Sequence, residues 1–394
     1  MADGTTAVVW DSAFLGYDMG DHPLNPVRLE LTMALARELG VLDRPGVRMV
    51  SSASADDAAL TRVHRPDYLD AVRAAPSDPF FTGWGLNTPD NPVFDHMHEA
   101  SARICGATMA AADAVWHGEV GAAVNVAGGL HHAMANRASG FCVYNDPAVA
   151  ITRLLDAGAQ RIAYVDIDVH HGDGVEAAFR DDPRVLTVSL HETPLALFPG
   201  TGFPTETGGP GAEGTAVNLA LPPGTGDAGW LRAFHAVVPS VVRAFAPELL
   251  FTQCGADAHR ADPLADLQLS VDGQRAAYLA LRDLADEVCA GRWVATGGGG
   301  YALAEVVPRA WTHLLAVITG EPLDPATPTP PGWRRLAAER CPGAVIPRTM
   351  GDGVEPPVER WAPGTTPDPV DKAILATRKA VFPLHGLDPQ DVRD

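Results

Sequence analysis

Asp166, Asp168, His170, His171 and Asp173 fall within eight residues, in the run YVDIDVHHGDG (164–174). The apolar lead-in Ile162-Ala163-Tyr164-Val165 predicts a buried strand, so acids and imidazoles arrive together at its end. On an extended chain, side chains two apart share a face, which would bring Asp166, Asp168 and His170 together if that geometry persisted. Carboxylates buried side by side need a compensating cation, and a metal ion is the simplest one. A solvated strand end, with Asp173 opening a helix, is the bland alternative; a cluster of acids and imidazoles this dense more often does chemistry.

A third ligand stands further along. Asp257, in GADAHRADP (255–263), follows another apolar run and joins Asp168 and His170 as two carboxylates and one imidazole. That set leaves a coordination position open, as catalytic zinc sites do. Structural sites use paired thiolates, and the five cysteines (Cys105, Cys142, Cys254, Cys289, Cys341) contain no C-x-x-C pair. His131 and His132 follow Gly128-Gly129. One imidazole of such a pair can take a proton from water while the other holds charge beside a tetrahedral centre. Each needs a carboxylate on its far nitrogen, and Asp166 and Asp173 remain for that role. Tyr301 follows four glycines, 297–300, without the GK[ST] of a phosphate loop, and its phenol can donate to a carbonyl oxygen. Phe141 and Phe198 are loop aromatics able to wall a channel for an unbranched chain, although either alone reads equally well as packing. His22, His64 and His235 read as ordinary core or surface histidines.

Strands are predicted at 7–10, 47–50, 122–126, 162–167, 185–190, 248–252 and 293–296. Helices are predicted at 27–40, 56–60, from 64 onward, and at 98–117, 147–157, 174–179, 228–245, 272–289 and 303–318. This alternation predicts an α/β fold: a single open, mostly parallel sheet with helices on both faces and the site at the C-terminal ends of the strands. Residues 76–92, rich in Gly, Pro and aromatics, read as a rim loop. A catalytic domain is expected over 1–320. The Pro-rich extension 321–394 is expected to pack on it or trail from it, with a closing helix at 370–381. A net charge of −20 argues against nucleic acid or an anionic membrane as a partner. No apolar run reaches eighteen residues, the start lacks a signal-peptide pattern, and unpaired cysteines suit a reducing cytoplasm.

Together, GGLHHA, ASGFCVYND, YVDIDVHHGDGVE, LFPGTG, CGADAH and GGGGY resemble the zinc-dependent histone deacetylase superfamily in order and spacing, over about 8–318. YDMGDHPLNPVRLELT, GADAHRADPLADL and PPGWRRLA are similar to the class I-like bacterial acetoin-utilisation (AcuC-type) deacetylases. The resemblance implies an arginase/deacetylase-like fold and hydrolysis of N-acetyl-lysine on an acetylated protein, with an acyl-CoA synthetase as the suggested substrate. It implies zinc on Asp168, His170 and Asp257, ferrous iron also suiting that set. His132 becomes general base and then acid, backed by Asp173; His131, paired with Asp166, stabilises charge; Tyr301 polarises the carbonyl. Gly140, Phe141 and Phe198 would line the acyl-lysine tunnel, Leu264 would sit at its rim, and Asp90 would contact substrate backbone. Arg28 matches an arginine of an internal acetate channel. Potassium is implied at Asp166, Asp168, His170, Ser189 and Leu190, with a second site at Phe179 and Val185. An acetylpolyamine or other small N-acyl-amine deacetylase is the enzymatic alternative, and an inactive acyl-lysine binding module the non-enzymatic one. A binuclear manganese ureohydrolase would need extra carboxylates beside Asp257, where Gly255 and His259 stand. Two departures stand out. Asp21 replaces a glycine before His-Pro, and Pro263 stands where nuclear enzymes have an arginine for inositol phosphate, so a corepressor partnership is unsupported.

Overall fold

Eight short apolar runs pair in register into one sheet in the computed structural model, which describes residues 4–357, 359–364 and 368–393. The first three residues of the N-terminal segment, and parts of the Pro- and Gly-rich stretch before the closing helix, lie outside the described residues. The strands are β1 (Thr6–Val9), β2 (Val47–Val50), β3 (Ala122–Asn125), β4 (Ile162–Asp166), β5 (Val185–Glu192), β6 (Ala216–Leu221), β7 (Leu249–Gln253) and β8 (Trp293–Thr296). The helices are α1 (Val27–Glu38), α2 (Asp57–Leu60), α3 (Pro66–Ala74), α4 (Met97–Trp116), α5 (Asp146–Asp156), α6 (Asp173–Phe179), α7 (Asp227–Phe245), α8 (Val271–Cys289), α9 (Val307–Ile318), α10 (Pro331–Arg340) and α11 (Pro369–Val381). The sheet order is β2-β1-β3-β8-β7-β4-β5-β6, and every pairing is parallel. Strands such as β4 and β5 are buried along their whole length, as a parallel sheet covered on both faces requires.

Two elements were not foreseen. β6, AVNLAL, follows the Gly/Pro-rich run 199–214 and adds a strand beside β5. α10 opens on Pro331, which looks like a breaker but is compatible with a first helical turn.

Parallel order has a direct consequence for the chemistry. The neighbouring strands β3, β8, β7, β4 and β5 all point one way, so the segments that follow them emerge on one rim. Those segments carry His131–His132, Tyr301, Asp257, Asp168–Asp173 and Phe198 respectively. Helices α10 and α11, past residue 320, lie against this body. Trp333 of α10 is fully buried and donates its indole N–H to Leu31 of α1. α11 covers α7 and the edge strand β6, where Thr377 donates to the Asn218 carbonyl at 2.7 Å.

Candidate active site

β4 stops at Asp166, and the extended geometry stops with it. Asp166 accepts the backbone N–H of Asp168 at 3.1 Å, and Asp168 that of His170 at 3.0 Å, two successive turns that fold the segment over the sheet edge. The expected convergence of Asp166, Asp168 and His170 on one strand face therefore does not occur. Asp168 and His170 instead meet Asp257, with ligand atoms all within 4.8 Å and all three residues buried. His170 Nδ1 faces both carboxylates, 3.1 Å from Asp168 and 3.3 Å from Asp257.

The outer oxygens of the two carboxylates are tied down. Asp168 Oδ2 accepts from Gln253 Nε2 at 2.7 Å and from the Gly299 N–H at 2.8 Å. Asp257 Oδ1 accepts the Val169 N–H at 2.9 Å. Burial and the Asp168 charge push the Asp257 carboxyl up to about 7, while burial of His170 is outweighed by the two carboxylates, which raise it to about 10. Two buried carboxyl groups directing an oxygen each at one imidazole nitrogen form a donor set that fits a divalent cation, whose charge would favour both carboxylates in their ionised form. Gly299 cannot carry a side chain here, since a Cβ would collide with Asp257.

Asp166, released from the metal set, accepts from Tyr164 Oη and lies 2.7 Å from His131 Nδ1. Asp173, at the first turn of α6, is 2.6 Å from His132 Nδ1. The two Nε2 atoms are 3.0 Å apart. Burial opposes charge on both rings, but Asp166 and Asp168 raise His131 to about 9, whereas burial and the neighbouring His131 drop His132 to about 4. At neutral pH one imidazole is cationic and the other is free to accept a proton.

Above these groups opens a cavity of about 200 Å³, lined by Asp90, His132, Gly140, Phe141, His170, Leu197, Phe198, Leu264 and Tyr301. Phe198 stands edge-on to His132 at 5.0 Å, and Phe141 edge-on to Tyr301 at 5.5 Å. Gly140 sits at φ +49°, and a Cβ there would run into His132. Burial and the nearby Asp257 and Asp168 hold the Tyr301 phenol well above its usual range, so it remains a donor. A much smaller space of about 10 Å³, room for about one water, is lined by Asp168, His170 and Tyr301 together with Leu24, Gly129 and Gly298. Arg28 does not line it. Its guanidinium donates to the Gly298 and Gly300 carbonyls at 2.9 and 3.1 Å, bracing the glycine run before Tyr301. A larger groove between α2, α4 and α5 contains none of the site residues. Ser189 pairs in register with Asp166, Leu190 follows it, and Phe179 and Val185 flank the turn between α6 and β5.

Several supports escaped the sequence reading. Tyr17 donates to the Phe141 carbonyl and accepts the Val143 N–H, clamping the cavity wall. Asp146 accepts the N–H groups of Gly129 and Leu130. Asp262 accepts the Tyr301 N–H at 2.8 Å. His171, given no role by the sequence, lies 2.9 Å from Thr201 and 3.0 Å from Glu176, fastening the segment that carries Phe198. His64 is a packing histidine as expected, joining Met134 to Asn145.

Fold and site define an α/β protein with a buried Asp–His–Asp constellation that could hold a metal ion, at the C-terminal edge of a parallel sheet. The histone deacetylase domain family matches residues 22–318, and the chain belongs to that family. It is similar to the acetoin utilization protein AcuC of Bacillus subtilis (strain 168), with 38% identity over 371 residues covering 93% of each chain. The protein of the same name from Staphylococcus aureus (strain MSSA476) is 38% identical over 323 residues, 81% of this chain and 82% of that one. That from Staphylococcus xylosus is 37% identical over 322 residues, 80% and 83% of the two chains. Among the described residues no helix is long and apolar enough to cross a membrane.

Proposed function

We propose that this chain is a cytoplasmic lysine deacetylase that hydrolyses N-acetyl-lysine amides on proteins. The observation that carries the reading is the meeting, at the foot of one aromatic-walled cavity, of the Asp168–His170–Asp257 donors, the His132–Asp173 pair and Tyr301. Those donors would hold zinc or ferrous iron, which would supply Lewis acidity to polarise a carbonyl and acidify water. The cavity between Phe141 and Phe198, lined also by Leu264 and Asp90, suits the unbranched lysine stem. Tyr301 donates to the amide oxygen as charge grows on it. His132, held by Asp173, takes the proton of the attacking water and returns it to the amine nitrogen as the C–N bond breaks, leaving acetate and lysine. His131, cationic beside Asp166, offsets the negative charge of the tetrahedral centre. Potassium at Asp166, Asp168, His170, Ser189 and Leu190, and at Phe179 and Val185, belongs to the same proposal, as does an acyl-CoA synthetase as substrate; both rest on family resemblance.

The test is acetate release from an acetyl-lysine peptide by the zinc-loaded protein, with acetylspermidine as competitor substrate. The peptide should have the higher kcat/KM, and His132→Ala should remove turnover of it. Acetate release undiminished in His132→Ala, or none from the wild type, would reject the reading.

A further inference from the structure

Asp257 rides on the connection between β7 and α8, residues 254–270, which holds no helix or strand of its own. A donor on such a segment keeps its place only if the backbone around it is tied down. One tie comes from far along the chain. His259, buried two residues past Asp257, accepts the Ala261 N–H on Nδ1 at 3.0 Å, which leaves its Nε2–H to donate to Asp352 at 2.8 Å. The same Asp352 oxygen accepts the N–H of Val271, the first residue of α8, at 2.9 Å, so it grips both ends of the connection. Its other oxygen lies 2.9 Å from the guanidinium of Arg309, a residue of α9 that is only 2% exposed. A buried guanidinium needs an anion, and α9 is the helix that follows Tyr301. Burial of Asp352 is outweighed by His259 and Arg309, which hold its carboxyl well below the usual range. Asp352 lies beyond residue 318, where the family match ends.

We infer that Asp352 is a positioning residue of the metal site. By holding His259, the start of α8 and Arg309 together, it fixes the connection that carries Asp257 against the helix behind Tyr301. The C-terminal extension is thus part of the active-site framework. The inference rests on the metal-dependent reading proposed above, and the experiment separates the two.

Zinc affinity of the metal-free full-length protein is measured by competition with a chromophoric chelator for wild type, Asp352→Ala, His259→Ala and Thr377→Ala. Asp352→Ala should bind zinc about ten- to one-hundred-fold more weakly, the range for lost partners of ligand-bearing segments. Its kcat should fall with little change in KM, because the cavity walls are untouched. His259→Ala leaves the Asp352–Arg309 pair in place and should weaken zinc in the same direction, so it carries the test should Asp352→Ala fail to fold. Thr377→Ala loosens α11 from β6 without touching the connection and should bind zinc like the wild type. Wild-type affinity in His259→Ala, or in a folded Asp352→Ala, overturns the inference. So does a loss of equal size in Thr377→Ala, which would assign the effect to docking of the extension as a whole. A wild type that binds neither zinc nor, in the same competition run anaerobically, ferrous iron overturns the proposed function, and the inference with it.

Discussion

Two adjacent imidazoles in a buried site repel once both are charged, and the carboxylates behind them decide which one holds the proton. Asp166 and Asp168 favour the cation on His131, while His132 has Asp173 on one side and His131 on the other and is left neutral. On the proposed reading Asp173 therefore acts on proton transfer and not on the metal donors, although it lies only a few residues from His170. Asp173→Asn should keep a full complement of zinc by elemental analysis while kcat falls about 100-fold or more, the scale of a lost general base. Asp168→Ala removes a donor whose far oxygen also anchors Gln253 and Gly299, so it should lose zinc and turnover together. If Asp173→Asn also lost its zinc, the division between the two carboxylates would be wrong.

At the scale of elements, the site depends on loops held by groups that never touch substrate. His64 is one of them: buried, it donates from Nδ1 to the Met134 carbonyl and accepts the Asn145 N–H on Nε2, fixing the segment after His132 to the start of α5. Burial lowers its pKa to about 4, below an unfolded value of about 6.5. The unfolded chain then binds a proton that the native chain refuses. The stabilisation is complete above about pH 6.5 and is lost as pH falls from there toward 4, amounting to roughly 3 kcal/mol at about 1.4 kcal/mol per unit. Urea unfolding between pH 7 and 5 should show a slope of that sign, and His64→Gln, which keeps an acceptor but cannot protonate, should reduce it by the His64 share, leaving the part due to the likewise lowered His132 and His313. An unchanged slope in the variant would remove His64 from the account. The sheet and most helices were legible from alternating apolar runs and turns, because a covered parallel sheet writes its strands as short hydrophobic segments. The chemical groups were legible because they follow those strands directly. What could not be read were the ties between distant segments: Tyr17 to Phe141, Arg28 to the glycine run, Asp352 to His259. No local pattern marks such partners. β6 and α10 were hidden for a related reason, by glycines and prolines at their borders.

On the scale of the whole molecule, the family match ends at 318 but the packing does not. Trp333 fills a cluster with Leu31, Leu35 and Met350, and Ile374, Val381 and Phe382 are buried in the main core. Fully burying one such side chain is worth about 2 kcal/mol, so this group rivals the roughly 5–15 kcal/mol that keeps an ordinary domain folded. The extension also supplies Asp352 to a guanidinium otherwise buried without its anion. Cutting the chain after Gly320 would expose the faces of α1, α7 and β6 that α10 and α11 now cover. A protein of residues 1–320 should therefore be poorly soluble or lack a cooperative thermal transition by circular dichroism. Ending the chain after Asp352 keeps α10 and the Asp352 bonds and uncovers the α7–β6 face. That longer form should fold with a lowered Tm and still bind zinc. A 1–320 protein that melts cooperatively at the full-length Tm would show that the extension is an appendage to the fold.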